Sequence, residues 1–170
     1  MIQEIFGVNH HMRNVCDRLA AEGCVAVAPA IFDRIEPNFT STYSPEEIAY
    51  ARKFVAHPDW AAMLRDTQAA IDAVKGGGPV GIIGFCLGAI VRFADDKPTV
   101  LTQLHFGDKD TGIPMSDVET IKTKRPDVEI LVYPGAQHGF SCDERPSFDK
   151  QSADIAWPCA MTFFAEHLKS

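Results

Sequence analysis

The stretch Val80-Gly-Ile-Ile-Gly84-Phe85-Cys86-Leu87-Gly88 decides how the rest of the chain is read. A short apolar run of strand type ends in a G-x-C-x-G turn, and apolar residues able to open a helix follow. In such an elbow the central residue takes a strained backbone conformation and lifts its side chain above the sheet. Glycines two places before and after it spare collisions with the neighbouring strand and helix. The N–H groups that begin the following helix point at the central side chain and favour a thiolate or an oxyanion there. The central residue is Cys86. Taken alone, the pattern fits equally a small buried cysteine between two turn glycines.

Order downstream shifts the balance. A predicted strand over 100–106 runs into Gly107-Asp108-Lys109-Asp110. A second, over 128–133, runs into Pro134-Gly-Ala-Gln-His138-Gly139-Phe140. Nucleophile, carboxylate and histidine thus follow one another, each just past the carboxyl end of a strand, where open α/β sheets place their sites. On spacing alone Asp108 and Asp110 are both candidate acids.

Elsewhere short apolar runs alternate with amphipathic stretches. A strand end is predicted over 2–6, a helix over 12–22 stopped by Gly23, and a buried strand over 25–28 stopped by Pro29. Residues 30–45 read as a loop rich in Pro, Asn, Ser and Thr, and Ser44-Pro45-Glu46-Glu47 as a capped helix start. A helix over 59–74, with Met63, Ala70, Ile71 and Val74 as its core stripe, stops at Gly76-Gly77-Gly78. Helices are predicted over 115–124 and, despite Pro158, over 152–168. The pattern is α/β: one domain over 1–170, with a largely parallel sheet flanked by helices.

Composition narrows the function. Of the 170 residues 46% are hydrophobic and 23% charged, enough for one real core. A net charge of −7 argues against binding nucleic acid through its phosphates. The longest apolar run, 80–90, is broken by three glycines, so no membrane span is expected. No secretion signal is visible. Five scattered cysteines without a C-x-x-C pair suit a reducing cytoplasm, not a disulfide framework or a structural zinc site. His10-His11 lacks a carboxylate cluster and reads as surface or helix entry, and Gly76-Gly77-Gly78 lacks the Lys of a phosphate loop. Trp60 and Phe54 read as core or pocket wall.

Four motifs together carry a family resemblance: Gln3-Glu4-Ile5-Phe6-Gly7-Val8-Asn9; Gly84-Phe85-Cys86-Leu87-Gly88; His105-Phe106-Gly107-Asp108-Lys109-Asp110 with Ile113-Pro114; and His138-Gly139-Phe140. Over nearly its whole length the chain resembles the dienelactone hydrolases (carboxymethylenebutenolidases), cysteine members of the α/β-hydrolase fold. The resemblance implies a Cys86–His138–Asp110 triad, with a thioester acyl-enzyme on Cys86 and Asp110 favoured over Asp108. It implies an oxyanion hole from the N–H groups of Leu87 and Ile5, with Glu4 as a fourth participant that controls the resting thiol. No metal or organic cofactor is implied.

Three departures stand out. Glu4 lies almost at the first residue, where the family has leading strands. Only 15 residues, 85–99, separate the elbow strand from the next, where the family fits a helix, another strand and a further loop. Ile90 passes directly to the segment 91–96 as though a strand had been removed. The fold is therefore expected to be truncated at the N-terminus and after the elbow. Finally, the family's substrate-carboxylate arginine, four residues past the histidine, is Cys142 here, leaving Arg145 and Arg34 as candidate anion contacts.

The reading that follows is a cytoplasmic hydrolase of a small ester or lactone, an anionic one if Arg145 or Arg34 contacts it. A broader carboxylesterase or thioesterase is the alternative within enzymology. A catalytically dead truncated paralogue with a binding role is the alternative outside it.

Overall fold

The computed structural model describes residues 1–88 and 100–168. They build two compact units, one on 1–88 and one on 100–168. The passage expected over 91–96 lies outside the described residues.

In the first unit, helix α1 spans His10–Ala21. Its start is fixed by Asn9, whose side-chain oxygen accepts from Met12 N at 3.1 Å. Its end is fixed by Gly23 at φ 87°. There Gly23 N donates to Ala20 O and Cys24 N to Leu19 O, both at 3.0 Å, a paired C-terminal cap that needs a left-handed residue. Met12, Val15 and Leu19 are buried, and so is His11, which stands at the helix entry and not on the surface. Ala20, one turn off the stripe, is exposed.

Helix α2, Pro45–Ala51, carries the expected Ser44 cap, with Glu47 N donating to Ser44 Oγ at 3.3 Å. A 3-10 turn over Arg52–Val55 follows it. Helix α3, Trp60–Val74, is capped by Asp59. Of its expected stripe only Met63 is fully buried; Ala70, Ile71 and Val74 are half-buried.

The core of this unit comes substantially from the polar-looking loop. Ile31, Phe32 and Phe39 join Phe6, Ala51, Phe54 and Met63 in one cluster. Phe32 stacks on Phe54 with centroids 5.2 Å apart, and Phe39 lies 4.4 Å from the same ring. Such ring pairs add roughly 0.5–1.5 kcal/mol each beyond area burial. Trp60 packs against this cluster, as expected.

The strands expected over 2–6, 25–28 and 80–84 do not form ladders. Ile2 makes a single parallel bridge to Gly84, its N–H donating to Ile83 O at 2.7 Å. The Met1 amino group reaches Val27 O at 2.6 Å. Each extended segment meets its neighbour at one position only, and a ladder needs partners along its length. Val25 and Ile82 are accordingly 78% and 53% exposed, where buried strands were expected.

The second unit is a parallel β-α-β crossover followed by a long helix. Strands β1, Gln103–Gly107, and β2, Glu129–Tyr133, pair in parallel from Gln103↔Glu129 to Gly107↔Tyr133. Between them runs α4, Met115–Lys124, within the predicted boundaries. Alternation sorts the strand residues by face. Leu104, Phe106, Ile130 and Val132 pack with Val118 and Ile121 of α4. Leu131 and Tyr133 pack with Ala136, Phe140 and Ala156. Ala156 belongs to α5, Lys150–His167, which begins two residues earlier than predicted because Asp149 caps Ser152 N at 2.7 Å. Pro158 stays inside α5 at the cost of the one backbone bond its missing N–H would make. No described helix is long and apolar enough to cross a membrane.

Candidate active site

Cys86 sits at φ 56° at the start of a 3-10 turn, Cys86–Gly88. A non-glycine side chain in this left-handed region is held there by its surroundings, as the elbow reading requires. Gly84 explains its own identity: a Cβ there would lie 3.3 Å from Ile2 Cβ, tighter than ordinary packing. The parallel Ile2↔Gly84 bridge sets the start of the first motif beside the elbow. The Ile5 and Leu87 side chains both pack against the Phe6–Phe32 cluster. The sequence-distant motifs at residues 3–9 and 84–88 are therefore neighbours.

Glu4 is 2% exposed. Its Oε2 accepts from the Tyr43 hydroxyl at 3.3 Å, and that oxygen accepts in turn from Asn9 Nδ2 at 3.1 Å. Asn9 also donates to Ser41 O at 3.3 Å. Sequence reasoning missed Tyr43, which lies in the loop set aside as polar. Its signal was an aromatic residue beside a helix cap, too slight to single out.

The second unit carries the candidate acid and the candidate base. His138 Nδ1–H donates to Asp110 Oδ2 at 2.7 Å. The other oxygen of Asp110 accepts from Gly112 N at 2.7 Å and Ile113 N at 3.0 Å, so both carboxylate oxygens are committed. The Asp110 side chain is 5% exposed and that of His138 30%, which leaves imidazole surface open to solvent. This is the orientation in which a carboxylate fixes the tautomer of a base and leaves Nε2 to act.

Asp108, the other candidate acid, points elsewhere and accepts from Gly135 N at 2.7 Å. Gly107 meets the next loop so closely that a Cβ there would collide with Ala136 O.

Arg145 lies against the base loop. A Cβ on Gly139, φ 73°, would collide with the Arg145 guanidinium, so the cation stands beside the residue that follows His138. Ser147 Oγ donates to His138 O at 2.7 Å and closes the same loop. Arg34 is placed differently: its guanidinium makes a two-point pair with Asp66 at 2.8 and 2.5 Å on the first unit's surface. Cys142, where the family's arginine stands, is 1% exposed. None of the five cysteines is in a disulfide.

A neutral network underlies the acid strand. The Tyr133 hydroxyl and His105 Nδ1 are 2.7 Å apart, His105 Nε2 and Gln103 Oε1 2.9 Å, and Gln103 Nε2 donates to Glu129 Oε2 at 2.8 Å. With the amide so fixed, His105 donates from Nε2 and accepts at Nδ1. Burial lowers the His105 pKa and pushes the Tyr133 hydroxyl up to about 12, assisted there by Cys159 and Glu129.

Comparison with known proteins gives this geometry its context. The Dienelactone hydrolase family profile matches residues 1–98 and 93–168. A "Putative carboxymethylenebutenolidase" of Synechocystis sp. is 37% identical over 210 residues, covering 99% of this chain and 85% of the relative. A protein of the same name from Escherichia coli K12 is 28% identical, covering 98% of this chain and 76% of its own. The crystal structure of a "Putative Dienelactone Hydrolase" from Klebsiella pneumoniae superposes with TM-score 0.77 at 28% identity, over 96% of this chain and 84% of that one.

An alignment of 210 positions against 170 residues leaves at least 40 (210 less 170) where the Synechocystis protein has residues and this chain has none. The two family matches meet at 93–98, just past the elbow, where the sequence departs from the family pattern. The fold is of α/β-hydrolase type. The chain belongs to the dienelactone hydrolase family and is a hydrolase.

Proposed function

We propose that the two units form one domain over 1–170 that opens a small carboxylate-bearing ester or lactone through a thioester on Cys86. The observation that carries this reading is the 2.7 Å bond from His138 to an Asp110 whose other oxygen is pinned by two backbone N–H groups. That arrangement serves a general base and explains little else about a solvent-facing histidine. The left-handed Cys86 supports the nucleophile's assignment.

In this mechanism His138 Nε2 takes the thiol proton, and the sulfur attacks the carbonyl carbon. The N–H groups of Leu87 and Ile5 hold the resulting oxyanion, each such donor typically contributing ~2.7–4 kcal/mol. The imidazolium returns its proton to the leaving oxygen. Water, deprotonated by His138, then cleaves the thioester and regenerates the thiol. Glu4 opposes ionisation of the resting thiol until substrate displaces it or lets it share the thiol proton with His138. The substrate carboxylate is assigned to Arg145 for its place beside Gly139, the residue after His138.

The test is a burst assay with a p-nitrophenyl ester and an enol-lactone, with mass spectrometry of the trapped adduct. A thioester on Cys86, lost in Cys86→Ala, is expected; an adduct on Cys16, Cys24, Cys142 or Cys159 overturns the assignment. The matched relative's 40 extra positions favour, as a second reading, a binding protein without turnover. A folded chain whose Cys86 stays unacylated would establish it.

A further inference from the structure

The acid loop and the base loop are tied together at more points than the Asp110–His138 bond. Asp108 N donates to Tyr133 O at 3.1 Å and Lys109 N to Ala136 O at 2.9 Å. Gly107 is packed against Ala136 with no room for a side chain. One link is made by a side chain alone: Asp108 Oδ1 accepts the N–H of Gly135 at 2.7 Å. Gly135 has φ 83°, and three residues later the same loop presents His138. The ladder of β1 and β2 ends at Gly107↔Tyr133, two residues before Gly135, and beyond it Asp108 accepts from the Gly135 amide.

We propose that Asp108 is a positioning residue for the base: its carboxylate oxygen clamps Gly135 and thereby holds His138 at hydrogen-bond distance from Asp110. The inference rests on His138 being the general base. It adds a residue whose work is done through that base, at a distance from substrate. What the clamp requires is an acceptor at this position, and a negative charge is not needed. Asparagine keeps a carbonyl oxygen there. Alanine removes it and frees the loop's entry.

A base displaced by about 1 Å costs up to roughly a hundredfold in rate. Asp108→Ala is therefore expected to lower kcat between about ten- and a hundredfold with KM little changed, while Asp108→Asn stays within a few-fold of the native protein. The readout a merely structural role would not move is the proton NMR signal of His138 Nδ1–H. It is expected downfield in the native protein and in Asp108→Asn. In Asp108→Ala it should be lost or shifted while the thermal midpoint stays close, and the Gly135 amide should exchange faster.

An unchanged His138 signal in a folded Asp108→Ala overturns the proposal. So does its loss in Asp108→Asn, which would show that charge and not the clamp is required. Should Asp108→Ala fail to fold, Asp108→Ser, too short to reach Gly135, takes its place under the same criteria. These signals are read in the resting protein, so they remain decisive even if native Cys86 proves not to be acylated, the outcome that would defeat the functional reading.

Discussion

The guanidinium of Arg145 fills the space in which a side chain on Gly139 would stand. Glycine is favoured here by its φ of 73°, and a side chain in its place would displace the flexible end of Arg145. Gly139→Ala should lose about 1–3 kcal/mol of stability, measured by urea unfolding. It should also raise KM for a carboxylate-bearing lactone more than for a neutral p-nitrophenyl ester. Equal effects on the two substrates would separate Arg145 from substrate binding.

Backbone strain at Cys86 predicts opposite consequences for two substitutions. Alanine keeps the Cβ that makes φ 56° costly, and glycine does not. Both variants should be inactive, and Cys86→Gly should be more stable than Cys86→Ala by up to about 1 kcal/mol. Thermal unfolding of the pair decides. A less stable glycine variant would mean that the elbow is not strained.

Burial lowers the pKa of His105 from its ordinary value of 6.5, so the folded chain holds this histidine neutral more strongly than the unfolded chain does. The unfolded state binds the extra proton, and the stability gained from neutral His105 is complete above 6.5 and lost as pH falls below it. Urea midpoints at pH 7.5 and 5.5 should differ accordingly. In His105→Gln that difference should shrink, and an unchanged difference would assign the acid sensitivity to other groups.

Tyr43 is expected to matter through Glu4. Removing its hydroxyl takes a donor from a buried carboxylate, at a cost of about 1–3 kcal/mol. Tyr43→Phe combined with Glu4→Gln should cost less than the two single changes added together, with a coupling of about 0.5–3 kcal/mol. Additive losses measured by denaturant unfolding would place the two residues in separate networks.

Helix ends were legible where a cap was recognised: Ser44 starts α2 and Gly23 ends α1. Asn9 and Asp149 went unrecognised, and α1 and α5 begin two residues before the expected starts. These are local decisions, made within one turn of chain. The residues in motifs, Cys86 and the His138–Asp110 pair among them, were legible for a related reason: few residue types satisfy a positive φ or a two-point carboxylate. The strands over 25–28 and 80–84 were misjudged because an apolar run records only a preference for burial, whereas a ladder depends on a partner elsewhere in the chain. The choice of Asp110 over Asp108 rested on the family pattern and the spacing to Ile113-Pro114, since both carboxylates follow the same strand. It turns on which carboxylate faces Gly135 and which faces the imidazole, a matter of loop geometry.

The separations along the chain between the paired groups bear on how the site assembles. His138 and Asp110 are 28 residues apart, joined by a single strand-to-strand crossover. The bridge beside the elbow joins Ile2 to Gly84, 82 positions apart (84 less 2). Contacts between near positions form faster than contacts between remote ones, because closing the longer loop gives up more chain entropy before anything is gained. Loop closure therefore favours the Asp110–His138 pair over the Ile2–Gly84 bridge, and the elbow at Cys86 is expected to be the later of the two to take shape.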